Sequence, residues 1–121
     1  MRCPWARARK AFPLSLGFPR VARIAVSVGG VPIRLTEERW FHITEHHDEV
    51  AGHAATVLNA IEAPDFVVEG WEGELVAVKR LKRKHLVVVY RELSRTDGFV
   101  ITAFFTRSVH DWTQRSRVWP P

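Results

Sequence analysis

The segment Trp40-Phe41-His42-Ile43-Thr44-Glu45-His46-His47-Asp48-Glu49 gathers three of the six histidines into six consecutive positions. Histidine gains and loses a proton near neutral pH, so this cluster points to proton transfer or to metal binding. In a regular helix His42 and His46 share a face, whereas His47 points about 140° away from His42 unless the helix bends. His47 also falls on the apolar stripe formed with Trp40 and Ile43, where a histidine commonly serves the core. Acid–base use of His42 and His47 together therefore requires a break in the helix.

The candidate phosphate-binding groups lie later in the chain. Lys79-Arg80-Leu81-Lys82-Arg83-Lys84 places five cations in six residues, which suits a phosphate-bearing partner or simply a solvated hairpin turn. The formal charge of +5 is otherwise uneven. Residues 1–24 hold six basic groups and no acid, while residues 25–121 hold 12 basic against 13 acidic groups. The amino-terminal arm is interrupted by Pro4, Pro13 and Pro19 and makes a poor secretory signal. Residues 1–24 are therefore expected to be a basic, disordered extension, and residues 25–121 a single domain.

Several classes are set aside by composition. A chain of 121 residues with 46% apolar content can bury one core. Its longest apolar runs fall well short of the roughly 20 residues of a membrane-spanning helix. The single Cys3 makes no internal disulfide, in keeping with a reducing compartment, and a cytoplasmic location is expected. There is no Gly-rich phosphate loop, Ser-His-Asp order or CxxC pair.

The elements that must position the candidates follow from periodicity. Ile24, Val26 and Val28 alternate, Gly29-Gly30 supplies a turn, and Val31 to Leu35 is again extended, giving a hairpin or bent strand. Thr36 caps a helix whose first turn carries Glu37 and Glu38, favoured there by the helix dipole. A second stripe, Val50, Ala54, Val57, Leu58 and Ile61, implies a bend or restart near Asp48, and Pro64 ends it. Four extended runs follow, Phe66–Glu69, Glu74–Arg80, His85–Glu92 and Gly98–Thr106, with connections so short that an antiparallel meander is required. The expected fold is α+β: an amino-terminal hairpin and two helices packed on a four-stranded antiparallel sheet. Val109 to Pro121, with Trp112 and Trp119, is left as either an ordered tail or a cover for a strand edge.

The ordered set Trp40-x-His42-Ile43, His47-x-Glu49, Ile61-x-x-Pro64-Asp65-x-Val67, Leu86-Val87-Val88-Val89 and Gly98-Phe99-Val100-Ile101-Thr102-Ala103-Phe104 resembles the phage-associated proteins of the barnase, EndoU, colicin and RelE-like nuclease superfamily. The similarity covers roughly residues 26–107. Asp48 stands where members commonly have proline in a His-Pro-Glu motif. The resemblance implies the same helices-on-sheet fold and metal-independent RNA cleavage, in which the 2′-hydroxyl attacks the adjacent phosphate and leaves a cyclic phosphate. That chemistry requires a base, an acid and cations around the phosphoryl oxygens.

Under this reading His42 and His47 supply acid and base, and Thr102 hydrogen-bonds the phosphate. Lys79, Arg80, Lys82, Arg83, Lys84 and Arg91 contact the backbone, while Tyr90, Phe104 and Trp71 stack on bases. No cofactor or metal is needed. The expected partners are RNA, whether tRNA, rRNA or ribosome-bound mRNA, and an antitoxin or immunity protein; no membrane is involved. Two other readings stand beside it. One is a RelE-like toxin or RNA- or ribosome-binding module without catalysis. The other is a zinc hydrolase, because His42-Ile43-Thr44-Glu45-His46 matches the H-x-x-E-H pattern of inverzincins, although so short a chain can hardly supply their third ligand and substrate cleft.

Overall fold

A computed structural model of the chain describes residues 22–121. The expectation of a disordered arm over residues 1–24 lies outside the described residues except at its end, where Ala22, Arg23 and Ile24 belong to the first strand. The elements run β1 (Ala22–Val26), β2 (Pro32–Thr36), α1 (Glu37–His46), a 3-10 turn (Asp48–Val50), α2 (Ala54–Glu62), β3 (Phe66–Glu69), β4 (Leu75–Leu81), β5 (Lys84–Ser94), β6 (Asp97–Thr106), α3 (His110–Thr113) and β7 (Arg117–Trp119).

The α+β class is as expected, but among the described residues the sheet has seven strands rather than four and is mixed rather than antiparallel. Its order is β1-β2-β6-β5-β4-β3-β7. The meander β3-β4-β5-β6 forms the antiparallel centre. The β1–β2 hairpin docks beside it through a short parallel pairing of Ile33 with Gly98 and Arg34 with Phe99. At the other edge β7 returns antiparallel to β3, so the carboxy-terminal segment is both a cover and a strand. Local patterning identifies a strand but not a partner distant in sequence, which is why the β2–β6 pairing is absent from the sequence reading and the cover by β7 stands there only as one of two alternatives.

Gly98 explains how β2 comes so close. A Cβ at that position would lie 2.6 Å from both the Arg91 carbonyl oxygen and Ile33 Cδ1. The parallel contact needs a residue without a side chain there.

The sheet buries both faces. On one side α1 and α2 cover Ile33, Leu35, Val67, Ala77, Leu86, Val88, Tyr90, Val100 and Ala103, adding Ile43, Val57, Ala60 and Ile61 from the helices and Val50 from the 3-10 turn. On the other side Val68, Val76, Val78, Val87, Val89 and Ile101 pack under Trp112 of α3, with Phe66, Trp71, Phe99, Phe104 and Val109 at the margin. Burial on both faces accounts for the unbroken Leu86-Val87-Val88-Val89-Tyr90 run in the central strand.

The helices start and stop where their ends can be satisfied. Thr36 Oγ1 accepts the Arg39 amide at 3.0 Å, as expected of the cap. At the other end His47 leaves the helical region, with φ −134° and ψ 72°, and the chain passes into the 3-10 turn. The break near Asp48 is therefore real and falls one residue earlier. Among the described residues no helix is long and apolar enough to cross a membrane.

Candidate functional site

The strand register decides which candidates share a surface. Along β4, Leu75, Ala77 and Leu81 join the helix-side core, which puts Lys79 on that face. Along β5, Val87 and Val89 face away from α1 and α2, and so does Arg91. In β6 the pairing slips between Val89–Thr102 and Tyr90–Val100, making Ile101 the extra residue of a β-bulge. Val100 consequently faces the helices, while Thr102 and Phe104 point to the opposite side. Uninterrupted alternation would put Thr102 on the face of Val100; the bulge separates them. Lys79 lies on the other side of the sheet from Arg91 and Thr102, so these three do not line one cleft.

Several of the expected phosphate and base contacts are occupied by the fold. Lys79 Nζ donates to the Ala63 carbonyl at 2.6 Å, satisfying the carboxy-terminal end of α2. Arg91 Nη2 donates to the Glu72 carbonyl at 2.8 Å and stands 3.9 Å from Glu74 Oε1. Glu74 is fully buried and accepts the Glu72 amide at 2.7 Å and the Trp71 amide at 3.4 Å. Arg91 and Glu74 thus hold the β3–β4 loop in shape. Tyr90 is fully buried in the helix-side core, so its expected role in stacking on a base is corrected: the ring has no access to a ligand. Burial, with the Glu92 charge second, pushes its phenol well above the usual range.

Trp71 is partly accessible but already engaged. Its ring meets Trp112 edge-on at 5.6 Å and carries Arg115 at 4.5 Å. Phe104 touches Trp112 at 6.2 Å and the His47 ring at 5.5 Å. His47, Phe104, Trp112, Trp71 and Arg115 therefore form a continuous row across the second face. His85 is half-buried, and its Nδ1 is buried with no hydrogen-bond partner among the described residues. Arg80, Lys82, Arg83 and Lys84 remain exposed at the end of the β4–β5 hairpin.

The arrangement around His42 differs from the expected His42–His47 pair. His42 meets His46 instead, with ring centroids 4.7 Å apart and the His46 Nδ1 donating to the His42 carbonyl oxygen at 3.1 Å. His47, beyond the end of α1, rests on Phe104 and has Glu49 Oε2 3.7 Å from its Nδ1. Arg39, His42 and His46 fall at i, i+3 and i+7, one face of α1. Desolvation, then the charges of His46 and Arg39, lower the pKa of His42, with Glu45 opposing.

The same face of α1 borders a crevice of about 230 Å³ lined by Arg34, Thr36, Arg39, Leu93, Phe99 and Val100. It opens where β2 ends and α1 takes its place beside β6. Arg34 is held there by a two-pronged pairing with Asp97, at 2.8 and 3.1 Å. Burial lowers the pKa of the Arg39 guanidinium. Arg39 is thus the cation whose charge acts on His42, and Arg34 shares the crevice with it; the sequence reading includes neither. Arg39 was legible in principle, since it stands three residues before His42; Arg34 depended on the unforeseen β2–β6 pairing.

Among the described residues no group of three or more His, Cys, Asp or Glu side chains is disposed to hold a metal ion. The H-x-x-E-H match accordingly has no third ligand among them. Comparison of the chain with protein-family models, with curated proteins and with solved structures returns no match.

Proposed function

We propose that the crevice between α1 and β6 binds the phosphodiester backbone of single-stranded RNA and that the chain cleaves it without a metal. The observation that supports this reading is that Arg34 and Arg39 line the crevice and that the charge of Arg39 reaches His42, one turn further along α1. His42, kept largely neutral at pH 7 by its surroundings, takes the proton of the 2′-hydroxyl. The hydroxyl oxygen attacks the neighbouring phosphorus, and the bond to the 5′-oxygen breaks, leaving a cyclic phosphate. His46, whose ring lies 4.7 Å from that of His42, is the proposed acid for the departing oxygen. Arg39 and Arg34 offset charge on the phosphoryl oxygens. Thr102 is buried on the sheet face opposite Val100, so its expected contact with the phosphate is corrected and it has no part in this reading.

The similarity to barnase, EndoU, colicin and RelE-like nucleases belongs to this same proposal, as does an antitoxin or immunity protein that would cover the crevice. A non-catalytic RNA- or ribosome-binding module is the second reading. It is favoured by the engagement of Arg34 with Asp97 and of Arg91 and Lys79 with the fold. Incubating the protein with a labelled single-stranded RNA in excess EDTA separates the two, since only the first yields a cyclic-phosphate product.

A further inference from the structure

The end of the β4–β5 hairpin lies outside the crevice lining. Lys82 and Arg83 form a two-residue turn between the paired Leu81 and Lys84. Both are exposed, as are Arg80 and Lys84, and the sequence from Lys79 to Arg91 contains no acid. Asp65 is the carboxylate that reaches this hairpin, and it accepts the Arg80 backbone amide.

The turn is not the one that folding alone would select. Lys82 has φ 50°, in the left-handed region where asparagine or glycine is comfortable, and Asn-Gly is the common choice for so short a connection. Two cations stand there instead. Strain of this kind, kept at an exposed charged position, points toward a use for the charge.

A nucleic acid fits this surface better than a lipid bilayer. Membrane-surface segments combine cations with apolar side chains that enter the acyl boundary. Here Leu81 packs into the helix-side core, and among the described residues the exposed large apolar side chains, Ile24, Val26, Phe41, Leu93, Val118 and Trp119, all lie elsewhere. Arg80, His85 and Thr106 form a cross-strand row leading from the turn along the second face toward Phe104.

From Lys84 to Leu93 the nine steps along β5, at roughly 3.3 Å each, separate the turn from the crevice by about 30 Å. One phosphate group cannot touch both places; a polynucleotide can. We propose that the Lys82–Arg83 turn is a second phosphate contact of the RNA-binding surface, engaged only by RNA long enough to extend from the crevice to it. This rests on the reading that RNA occupies the crevice.

The test compares the wild-type chain with Lys82→Gly/Arg83→Ala, in which glycine accepts the positive φ and circular dichroism confirms the fold. Binding of a fluorescent oligouridylate of about 12 nucleotides and of a uridine dinucleotide is measured across a sodium chloride series. Loss of two phosphate contacts should reduce the slope of log affinity against log salt for the long oligomer by about 1.4. Dinucleotide binding should be unchanged. Unaltered slope and affinity for the long oligomer would overturn the proposal. So would a variant defect seen only with phosphatidylserine vesicles, which would assign the turn to a membrane surface. Arg39→Gln, measured in parallel, separates the two readings: if it changes neither ligand while the turn variant still weakens the long one, the crevice assignment fails and the turn stands as an RNA contact.

Discussion

The His46 imidazole donates through Nδ1 to the carbonyl oxygen of His42 at 3.1 Å, and the two rings lie 4.7 Å apart. The bond fixes the ring of His46 one helical turn from His42 and brings a second ionisable imidazole against the first. With Arg39 on the same helical face, protonating His42 adds charge to a site that already carries it. A base available at neutral pH follows from this geometry.

His42 should therefore titrate below the ordinary histidine value of about 6.5 in a proton NMR pH series. Arg39→Gln removes one of the depressing charges and should move the titration upward. The effect on stability has a definite sign. The unfolded chain binds this proton at higher pH than the folded chain, so the contribution is complete above about pH 6.5 and declines as pH falls toward the folded value. A His42 titration at or above the ordinary value would contradict the arrangement.

Lys79→Ala should leave RNA binding unchanged, because its ammonium is directed at the Ala63 carbonyl rather than at the crevice. The loss should appear in stability, at about 0.5–1.5 kcal/mol for one hydrogen bond at a helix end. Urea denaturation and RNA titration of the same variant check both halves. A marked fall in affinity with unchanged stability would return Lys79 to the binding surface.

Tyr90→Phe removes a buried hydroxyl that has no hydrogen-bond partner among the described residues. Since an unsatisfied buried polar group costs about 1–3 kcal/mol, the variant should be as stable as the parent or more so. RNA affinity should not change, because the ring is fully buried. Destabilisation by more than about 1 kcal/mol in denaturant melts would reveal a partner for the phenol.

What could be read from the chain was what local pattern specifies. Thr36, Glu37 and Glu38 marked the start of α1, Pro64 followed the end of α2, and alternation located the meander strands within a residue or two. The two docked edges, β2 beside β6 and β7 beside β3, depend on contacts between segments far apart in sequence and left no local trace. The site suffered for the same reason. The bulge at Ile101 redirected Thr102, and the register turned Lys79 toward α2, while Arg34 reached the crevice only through the β2–β6 pairing. Tyr90 looked like a stacking platform because aromatic type is visible in sequence and burial on both sides of a central strand is not.

Metal-independent cleavage at His42 is tested most directly with a labelled single-stranded RNA in excess EDTA, comparing the wild-type chain with His42→Ala and Arg39→Ala after circular dichroism has confirmed folding. The expected result is a cyclic-phosphate product from the wild-type chain and a rate lower by about 100-fold or more in His42→Ala, the usual size of an acid–base contribution. No cleavage by the folded wild-type chain, or an undiminished rate in His42→Ala, would contradict acid–base catalysis at this histidine.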